Sequence, residues 1–197
     1  DVALAIELFT EGSLNTFAKP TNVDTNSRIL CYDIRDLGKQ LLPVGMLVVL
    51  DSVFNRIIRN RRLGRSTWVY IDEIYLLFQH EYSANFLFTL WKRVRKYGAC
   101  CTGLTQNVDD LLQSHTARTM LANSEFLVML NQASTDRAEL ARLLNISDNQ
   151  LSYITNVDFG RGLIKCGSAI VPFMDHFPKN NLYRLMSTKP SEADAAV

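Results

Sequence analysis

Residues 67–78, Thr-Trp-Val-Tyr-Ile-Asp-Glu-Ile-Tyr-Leu-Leu-Phe, decide the fold of this chain. The run 68–71 is short, unbroken and apolar, with aromatic and β-branched side chains. Such a run predicts a strand buried on both faces, as in a parallel sheet with helices above and below it. The strand ends at two adjacent carboxylates, Asp72 and Glu73. Ligands bind at the carboxyl ends of strands in open α/β sheets, so chemistry is expected here first.

This acidic pair has two interpretations. In a Walker B strand, Asp72 would hold Mg²⁺ through water and Glu73 would polarise the attacking water. Alternatively, the two carboxylates only cap the helix that follows and stabilise its amino terminus. These residues alone leave both interpretations open.

The composition is that of an ordinary globular chain. Its 197 residues are enough for one good-sized core, and 47% of them are hydrophobic and 21% charged. The net charge of +1 gives no global field towards nucleic acid or an anionic membrane. Apolar runs such as 46–50 are too short to span a bilayer. No signal peptide is visible, and because the sequence opens on Asp without an initiator Met, we expect a piece of a longer protein.

Helical and strand patterns alternate along the chain. Periodicity predicts helices over 1–14, 41–60 with Pro43 in the first turn, 83–97 closed by Gly98, 108–113, 116–122 and 134–144, and a further one capped at Ser147-Asp148. Strands are predicted over 28–34, 99–105 and 126–130, with a closing hairpin formed by 160–167 and 168–173. The tail from residue 187 is predicted to be disordered.

The four cysteines lie inside these predicted strands. Their spacing does not suggest zinc, and neighbours in a strand point to opposite faces, so Cys100 and Cys101 are poorly placed to pair with each other. Cys31 and Cys166 complete the set. Buried, reduced thiols are expected at all four positions.

Basic residues cluster in two places. Five arginines precede the central strand, at positions 56, 59, 61, 62 and 65, and Lys92, Arg93, Arg95 and Lys96 end the helix after it. Helix ends favour cations and most charged faces are simply solvated. A phosphate- or partner-binding patch is the alternative for the first cluster. Arg93 and Arg95 lie on the margins of the helix's apolar stripe, from which a guanidinium can reach a neighbour.

Polar pairs follow three of the predicted strands: Asp72-Glu73, Gln106-Asn107 and Asn131-Gln132. In a parallel sheet these positions share one edge. Carboxylates on one strand and an amide on the next suit phosphoryl transfer, because the amide senses the γ-phosphate without repelling it. An amide alone could be a simple edge residue, but the combination predicts a nucleotide hydrolase site.

Three segments together resemble a known family. The stretch 67–78, then Trp-Lys-Arg-Val-Arg-Lys-Tyr-Gly over 91–98, then Gly-Leu-Thr-Gln-Asn over 103–107, are similar to the C-terminal ATPase domain of the VirB-four (TraC/TraE-like) ATPases. These proteins of conjugative transfer and type IV secretion belong to the FtsK/HerA branch of RecA-like motors. The similarity runs from about residue 3 to residue 187, and its early part, with Leu8-Phe9-Thr-Glu-Gly-Ser, resembles members from Gram-positive conjugative elements. The resemblance implies an α/β fold, the RecA-like P-loop NTPase with three α/β/α layers and a mostly parallel sheet, truncated at its amino terminus. It would occupy residues 1–186.

The resemblance also implies roles for individual residues. Asp72 would coordinate Mg²⁺, Glu73 would be the catalytic base, and Gln106 would be the sensor on the strand beside Walker B. Arg93, Arg95 and Lys96 form the basic motif from which an arginine finger would reach a neighbouring subunit, with Arg95 the first choice. Arg161 and Gly162 fall in a late Gly-x-Gly-Leu motif near the nucleotide, although Arg161 stands where an acidic or amide side chain is more usual.

One family motif is absent from the sequence. No Gly-x-x-x-x-Gly-Lys-Ser/Thr occurs, and Gly38-Lys39 is followed by Gln40 rather than a hydroxyl residue. In the family, the phosphate-loop strand lies between the sensor strand and the strand at 126–130. Without the phosphate loop, the fragment is predicted to be unable to hydrolyse ATP. Without its strand, the edge of the 99–105 strand is expected to be unpaired, so the fragment is expected to dimerise or to pair its strands differently from the intact motor.

The family likeness finally implies a setting. The intact protein would bind ATP and Mg²⁺ and assemble as a hexamer. It would meet other secretion-channel proteins at the cytoplasmic face of the membrane, with DNA as a further partner. Two other functions remain open: a non-hydrolytic docking module of the same machinery, and a nuclease that would use Asp72 and Glu73 with a third carboxylate.

Overall fold

The computed structural model describes residues 2–106 and 108–186, which divide into two compact units, Asp1–Ala117 and Arg118–Val197. The helices are α1 (Val2–Thr10), α2 (Gly38–Arg62), α3 (Glu81–Arg93), α4 (Val108–Gln113), α5 (His115–Ala122), α6 (Ser134–Leu144), α7 (Asp148–Leu151) and α8 (Asn181–Met186). The strands are β1 (Thr67–Ile71), β2 (Ala99–Gly103), β3 (Phe126–Met129), β4 (Arg161–Cys166) and β5 (Ala169–Met174). The prediction of one domain over residues 1–186 stays a prediction, and the tail from residue 187 lies outside the described residues.

The first unit contains a β–α–β element. β1 and β2 pair in parallel, from Thr67 opposite Ala99 to Ile71 opposite Gly103, and α3 connects them. Leu87 and Leu90 of α3 and Ile57 of α2 are fully or almost fully buried. In addition, the ring of Phe54 makes edge-on contacts with Phe86 and Tyr97 at 6.0 and 5.6 Å between centroids. Helices therefore hold the parallel pair from one face.

The other face of β1 differs from the sequence prediction. Trp68 and Tyr70 are 65% and 67% exposed, whereas the alternate residues Thr67, Val69 and Ile71 are half-buried. The prediction of burial on both faces is therefore wrong for this chain. Successive side chains of a strand point to opposite faces, so an unbroken apolar run does not by itself supply the second covering layer.

The strand predicted over residues 28–34 is also wrong. This segment has bends and no strand, and Ile29 is 84% exposed. Side chains hold it instead: the hydroxyls of Tyr32 and Ser52 are 3.0 Å apart, and Arg56 donates to the carbonyl of Ser27 at 2.8 Å. A β-branched run becomes a strand only when another strand pairs with it, and no strand pairs with it within the described ranges.

α2 is longer than predicted, and Pro43 lies beyond its first turn. By length and composition alone, the helical segment Arg35–Arg62 is the one stretch of the described chain that could cross a membrane. The prediction from short apolar runs overlooked this, because the residues between the runs are also mostly apolar. Met46, Leu50 and Ile57 are buried, and α2 contacts β1 and α3. Of the most apolar 18-residue window of this segment, 22% is buried.

The second unit contains an antiparallel sheet in the order β3–β4–β5. The predicted hairpin is confirmed: β4 and β5 are joined by Gly167, which has a positive φ of 57°, and Ser168. Leu163 and Ile154 form the centre of this unit's core, with no exposed surface. The cap at Ser147 is confirmed as a capping box with Gln150.

The thiols are free, as expected, but mostly not buried. Cys31, Cys100 and Cys166 are exposed, and only Cys101 is partly buried. Cys101 lies on the helix-covered side of β2, where burial, with a smaller effect of neighbouring Cys100, raises its pKa to about 12. The alternation of faces in β2 separates the two adjacent cysteines.

Candidate functional site at the carboxyl end of the parallel pair

Asp72 and Glu73 directly follow β1, where a parallel sheet presents its ligands. Asp72 is exposed and Glu73 is half-buried. Oε2 of Glu73 is buried and has no hydrogen-bond partner among the described residues. A buried carboxylate oxygen without a partner is costly, so this atom is suited to a water molecule or cation brought by a ligand.

A bulge shapes the backbone at this point. The N–H of Leu104 donates to the carbonyl of Ile71 at 2.8 Å, and the N–H of Ile74 donates to the carbonyl of Leu104 at 2.9 Å. In a regular parallel ladder, the two residues of one strand that bond to the same residue of its neighbour have one residue between them. Ile71 and Ile74 both bond to Leu104, but two residues, Asp72 and Glu73, lie between them. The extra residue makes this a β-bulge.

The bulge changes which residue enters the core. In a regular strand, Glu73 would follow Val69 and Ile71 onto the helix-covered face. The extra residue gives that position to Ile74, which is only 5% exposed. Glu73 consequently does not take the core position, and both carboxylates remain at the end of the strand.

The same bulge puts Glu73 in a strained conformation. Its φ of 47° and ψ of 49° are left-handed, which costs a side-chain-bearing residue about 1 kcal/mol or more. Strain of this kind persists where surrounding contacts enforce it, and it is concentrated at functional sites.

Helix capping explains little of this arrangement. Glu73 precedes a 3₁₀ helix, Ile74–Phe78, but its side chain forms no capping hydrogen bond. Asp72 accepts one hydrogen bond from the backbone N–H of Glu73 at 3.0 Å. The capping interpretation is therefore contradicted for Glu73, and Asp72 only braces the bulge.

Gln106 follows β2 at the same end of the parallel pair and is exposed. The expectation that the strand before Gln106 lies beside the strand before Asp72-Glu73 is confirmed by the β1–β2 pairing. The sensor role of Gln106 stays a prediction. Asn107 lies outside the described residues.

Arg93, Arg95 and Lys96 are at the opposite end of the same pair. Arg93 ends α3, and Arg95 and Lys96 lie in the 3₁₀ turn Val94–Tyr97 just before β2. All three are exposed. The five residues of β2 separate them from Gln106, about 16 Å at the rise of a strand. Within one copy, the structure therefore does not bring these cations to the carboxylates.

The carboxyl-terminal end of α2 joins this basic end. The guanidinium of Arg61 lies 5.3 Å from the ring centroid of Tyr97, and Asn60 donates to the hydroxyl of Thr67 at 2.9 Å. Exposed cations thus gather around the amino ends of β1 and β2. We call this set the basic surface: Arg59, Arg61, Arg62, Arg65, Arg93, Arg95 and Lys96.

The remaining candidate residues belong to the second unit. Arg161 begins β4 and lies 3.6 Å from a carboxylate oxygen of Asp158. Gly162 is buried, and a Cβ there would lie 2.2 Å from the carbonyl oxygen of Met129. Its glycine is explained by this close approach of β3 and β4. A place for Arg161 and Gly162 near nucleotide stays a prediction.

The amides after β3 make local contacts. Asn131 accepts from the N–H of Val157 at 3.4 Å, and the side chain of Gln132 donates to the carbonyl of Leu130 at 3.2 Å. Both contacts brace the loop in which the amides lie, as expected of edge residues.

The donor set suits a magnesium nucleotide better than a metal held by protein alone. Magnesium is commonly bound by one or two carboxylates together with substrate phosphates and water. The described ranges contain no group of three or more His, Cys, Asp or Glu side chains able to hold a metal ion. The nuclease alternative therefore has no third ligand there, whereas Asp72 with the unpartnered oxygen of Glu73 fits magnesium and water at a triphosphate.

Sequence reasoning missed the residues that make the bulge. In the sequence, Gly103 and Leu104 stand out only through the family resemblance, and Ile74 only as part of an apolar run. Gly103 at the end of a strand was the available signal, because an isolated glycine in a strand often marks a close backbone or side-chain approach.

Comparisons with known proteins find relatives of this chain. The family model of the TraG P-loop domain matches residues 19–161. The structure of VirB4 of Thermoanaerobacter pseudethanolicus is similar to 90% of this chain, with a TM-score of 0.77 and 25% sequence identity. The match covers 50% of that VirB4 chain, so this chain spans about half of its length. A search of curated proteins gave no significant match.

Proposed function

This chain belongs to the TraG P-loop domain family, and we propose that it is part of a VirB4-like motor ATPase. The motor would hydrolyse ATP to power the assembly of, or transfer through, a type IV secretion or conjugation channel. The observation that carries the proposal is the bulge that leaves Asp72 and Glu73 together at the carboxyl end of β1, with one oxygen of Glu73 buried and unpartnered.

In this proposal, three side chains have separate tasks at the triphosphate. Asp72 holds Mg²⁺ through water, and Mg²⁺ neutralises charge that develops on the phosphates. Glu73 orients and polarises the attacking water. Gln106 contacts the γ-phosphate or this water with an amide that adds no negative charge.

Arg95, with Arg93 as the alternative, would act on the nucleotide of a neighbouring subunit. The support is their position at the other end of the parallel pair, which the length of β2, about 16 Å, separates from the end that holds the carboxylates of their own copy. A guanidinium that faces a neighbour's phosphates stabilises charge in the transition state. This role requires an oligomer, and a hexamer is our proposal for the intact motor.

We further propose that these 197 residues do not hydrolyse ATP by themselves. The support is the missing Gly-x-x-x-x-Gly-Lys-Ser/Thr sequence, whose backbone N–H groups and lysine would bind the phosphates. Within the described chain β2 pairs only with β1, so its second edge is open to another strand. Through this edge the isolated chain would dimerise.

The proposed partners are the other channel proteins at the cytoplasmic face of the membrane, and DNA. The support for DNA is the basic surface, because its exposed guanidinium groups match the geometry of phosphates. This surface contributes seven positive charges, whereas the net charge of the whole chain is only +1.

The proposal is tested with ATP turnover by the full-length protein. Glu73→Gln should lower kcat by about 100-fold or more while ATP still binds, because only the base for water is lost. Asp72→Asn should raise the Mg²⁺ concentration needed for half-maximal turnover, because a ligand of the ion is lost. Gln106→Ala should lower kcat. Glu81→Gln, a matched change at an exposed carboxylate on the first turn of α3, is the control and should leave turnover unchanged.

Unchanged kcat in Glu73→Gln would overturn the proposal. The second candidate function, a non-hydrolytic docking module, would then be favoured, provided that the same variant still binds its channel partners.

A further inference from the structure

The contact between Gly103 and Ile74 lies directly behind the bulge. A Cβ added at Gly103 would lie 2.5 Å from Cδ1 of Ile74, 3.3 Å from its Cγ2 and 3.4 Å from its Cβ. Gly103 has no positive φ, so its backbone conformation does not require glycine. The absence of a side chain at Gly103 is instead what lets Ile74 pack where it does.

Ile74 is also the residue that fixes the far side of the bulge. Its N–H bonds to the carbonyl of Leu104, whose own N–H bonds to Ile71. Glu73 lies between these two anchors in its left-handed conformation. The side-chain contact with Gly103 and the two backbone hydrogen bonds of Leu104 thus hold one residue on each side of the Asp72–Glu73 pair.

We propose that Gly103 and Ile74 are positioning residues for Glu73. Together with the backbone of Leu104 they form a clamp, which keeps Glu73 left-handed and its carboxylate at the end of the sheet. This inference rests on the proposed hydrolytic function of Glu73 and adds to it the device that sets the geometry. If the clamp slips, Glu73 returns towards the regular strand alternation, and its carboxylate moves away from the attacking water.

The chain offers a matched set of variants to test the clamp. Gly103→Ala adds the methyl group that collides with Cδ1 of Ile74, and Ile74→Val removes that same atom. The double variant contains both changes and relieves the closest collision. Thr102→Ala is the control, because it alters the neighbouring, exposed position of β2.

Steady-state ATP turnover of the full-length protein is the first measurement. We expect Gly103→Ala to lower kcat by about 10- to 100-fold, because small displacements of catalytic groups have effects of this size. KM for ATP should change by less than about twofold, since in this proposal Glu73 acts on the attacking water and does not bind the phosphates. Ile74→Val should lower kcat by less than Gly103→Ala does, because it shortens the contact without creating a collision. Thr102→Ala should stay near wild type, and the double variant should recover most of the kcat lost in Gly103→Ala.

Hydrogen exchange of the peptide that contains Ile74, measured by mass spectrometry without nucleotide, is the second measurement. Gly103→Ala should speed exchange of the Ile74 amide, which bonds to Leu104, and the double variant should slow it again. This readout separates the clamp from general loss of folding, in which exchange would also rise in β1 and β2.

Each outcome decides the question. Unchanged kcat in Gly103→Ala, or a double variant as slow as Gly103→Ala, would overturn the positioning role even if exchange increases. A wild-type protein without turnover would instead overturn the proposed hydrolytic function and, with it, the catalytic role of the clamp. The exchange pattern would then still show whether Gly103 and Ile74 hold the bulge.

Discussion

Mixing two inactive variants tests whether Arg95 acts between subunits. Arg95 precedes β2 and Glu73 follows β1, so the five-residue strands, about 16 Å long, separate the two groups in one copy. No side chain bridges this distance to a common phosphate. Glu73→Gln and Arg95→Ala should each reduce kcat, the latter on the order of 1,000-fold, as for arginine fingers.

The expected recovery follows from counting sites. In oligomers assembled from equal amounts of the two variants, a working site needs Glu73 from one subunit and Arg95 from its neighbour. Each requirement is met in half of the positions, so about one quarter of the sites should work if the arginine acts in trans. If it acts in cis, no subunit carries both groups and the mixture stays as inactive as its parts.

The assay is ATP turnover after the variants are mixed under dissociating conditions and reassembled, with the oligomer mass measured in parallel. Lys92→Ala is the charge-matched control, because Lys92 lies near the end of α3, three residues before Arg95, and its ammonium group lies 4.0 Å from the ring centroid of Phe88. It has no catalytic task in this scheme. Failure of the mixture to exceed its components, at full assembly, would refute the trans arrangement. Repeating the mixture with Arg93→Ala decides between the two arginines.

Two further predictions concern the partly buried thiol of Cys101 and the basic surface. Cys101 should be alkylated far more slowly than the exposed Cys100, because a rise of its pKa from 9.0 to about 12 lowers its thiolate fraction near pH 8 by about a thousandfold. The rate of alkylation of Cys101, followed by mass spectrometry of the 197-residue chain, should keep rising about tenfold per pH unit up to about pH 12. Equal rates for both cysteines would contradict the burial of Cys101. Changing Arg59, Arg62 and Arg65 to Gln should weaken binding of a labelled single-stranded DNA oligonucleotide to the full-length protein. The slope of log K against log salt concentration should become less negative by about 0.7 for each phosphate that is no longer neutralised. Unchanged affinity and slope would exclude these arginines from DNA binding.

Local sequence signals predicted most helices and the hairpin, because their determinants are near one another in the chain. The cap at Ser147, the left-handed Gly98 after the α3 segment and the Gly167-Ser168 turn are all set within a few residues. The strand assigned to 28–34 failed for the opposite reason. A strand is stabilised by a partner from elsewhere in the chain, and composition does not reveal whether that partner exists.

The candidate site likewise has features that local motifs predict and features that depend on residues distant in the sequence. Asp72, Glu73 and Gln106 were predicted from motifs and their order, and the pairing of their strands follows from the β–α–β pattern. The bulge was not predicted, because it depends on hydrogen bonds from Leu104, thirty residues downstream of Ile74. The only sign of the bulge in the sequence is Gly103 at the end of β2, and a glycine there has several explanations until the structure shows Ile74 packed against it.

The separation of charge in the first unit favours a motor over the alternatives. A docking module needs a surface, but it does not need a strained glutamate with an unpartnered oxygen at one end of a strand and a set of exposed arginines at the other. The two ends are too far apart to neutralise each other within one copy. We propose that copies associate head to tail, so that Arg93 and Arg95 of one would lie beside the carboxylates and the nucleotide phosphates of the next. Such a heterologous contact closes into a ring when its rotation allows. A catalytic site divided between neighbours would also make hydrolysis depend on assembly, which is the behaviour that a channel motor requires.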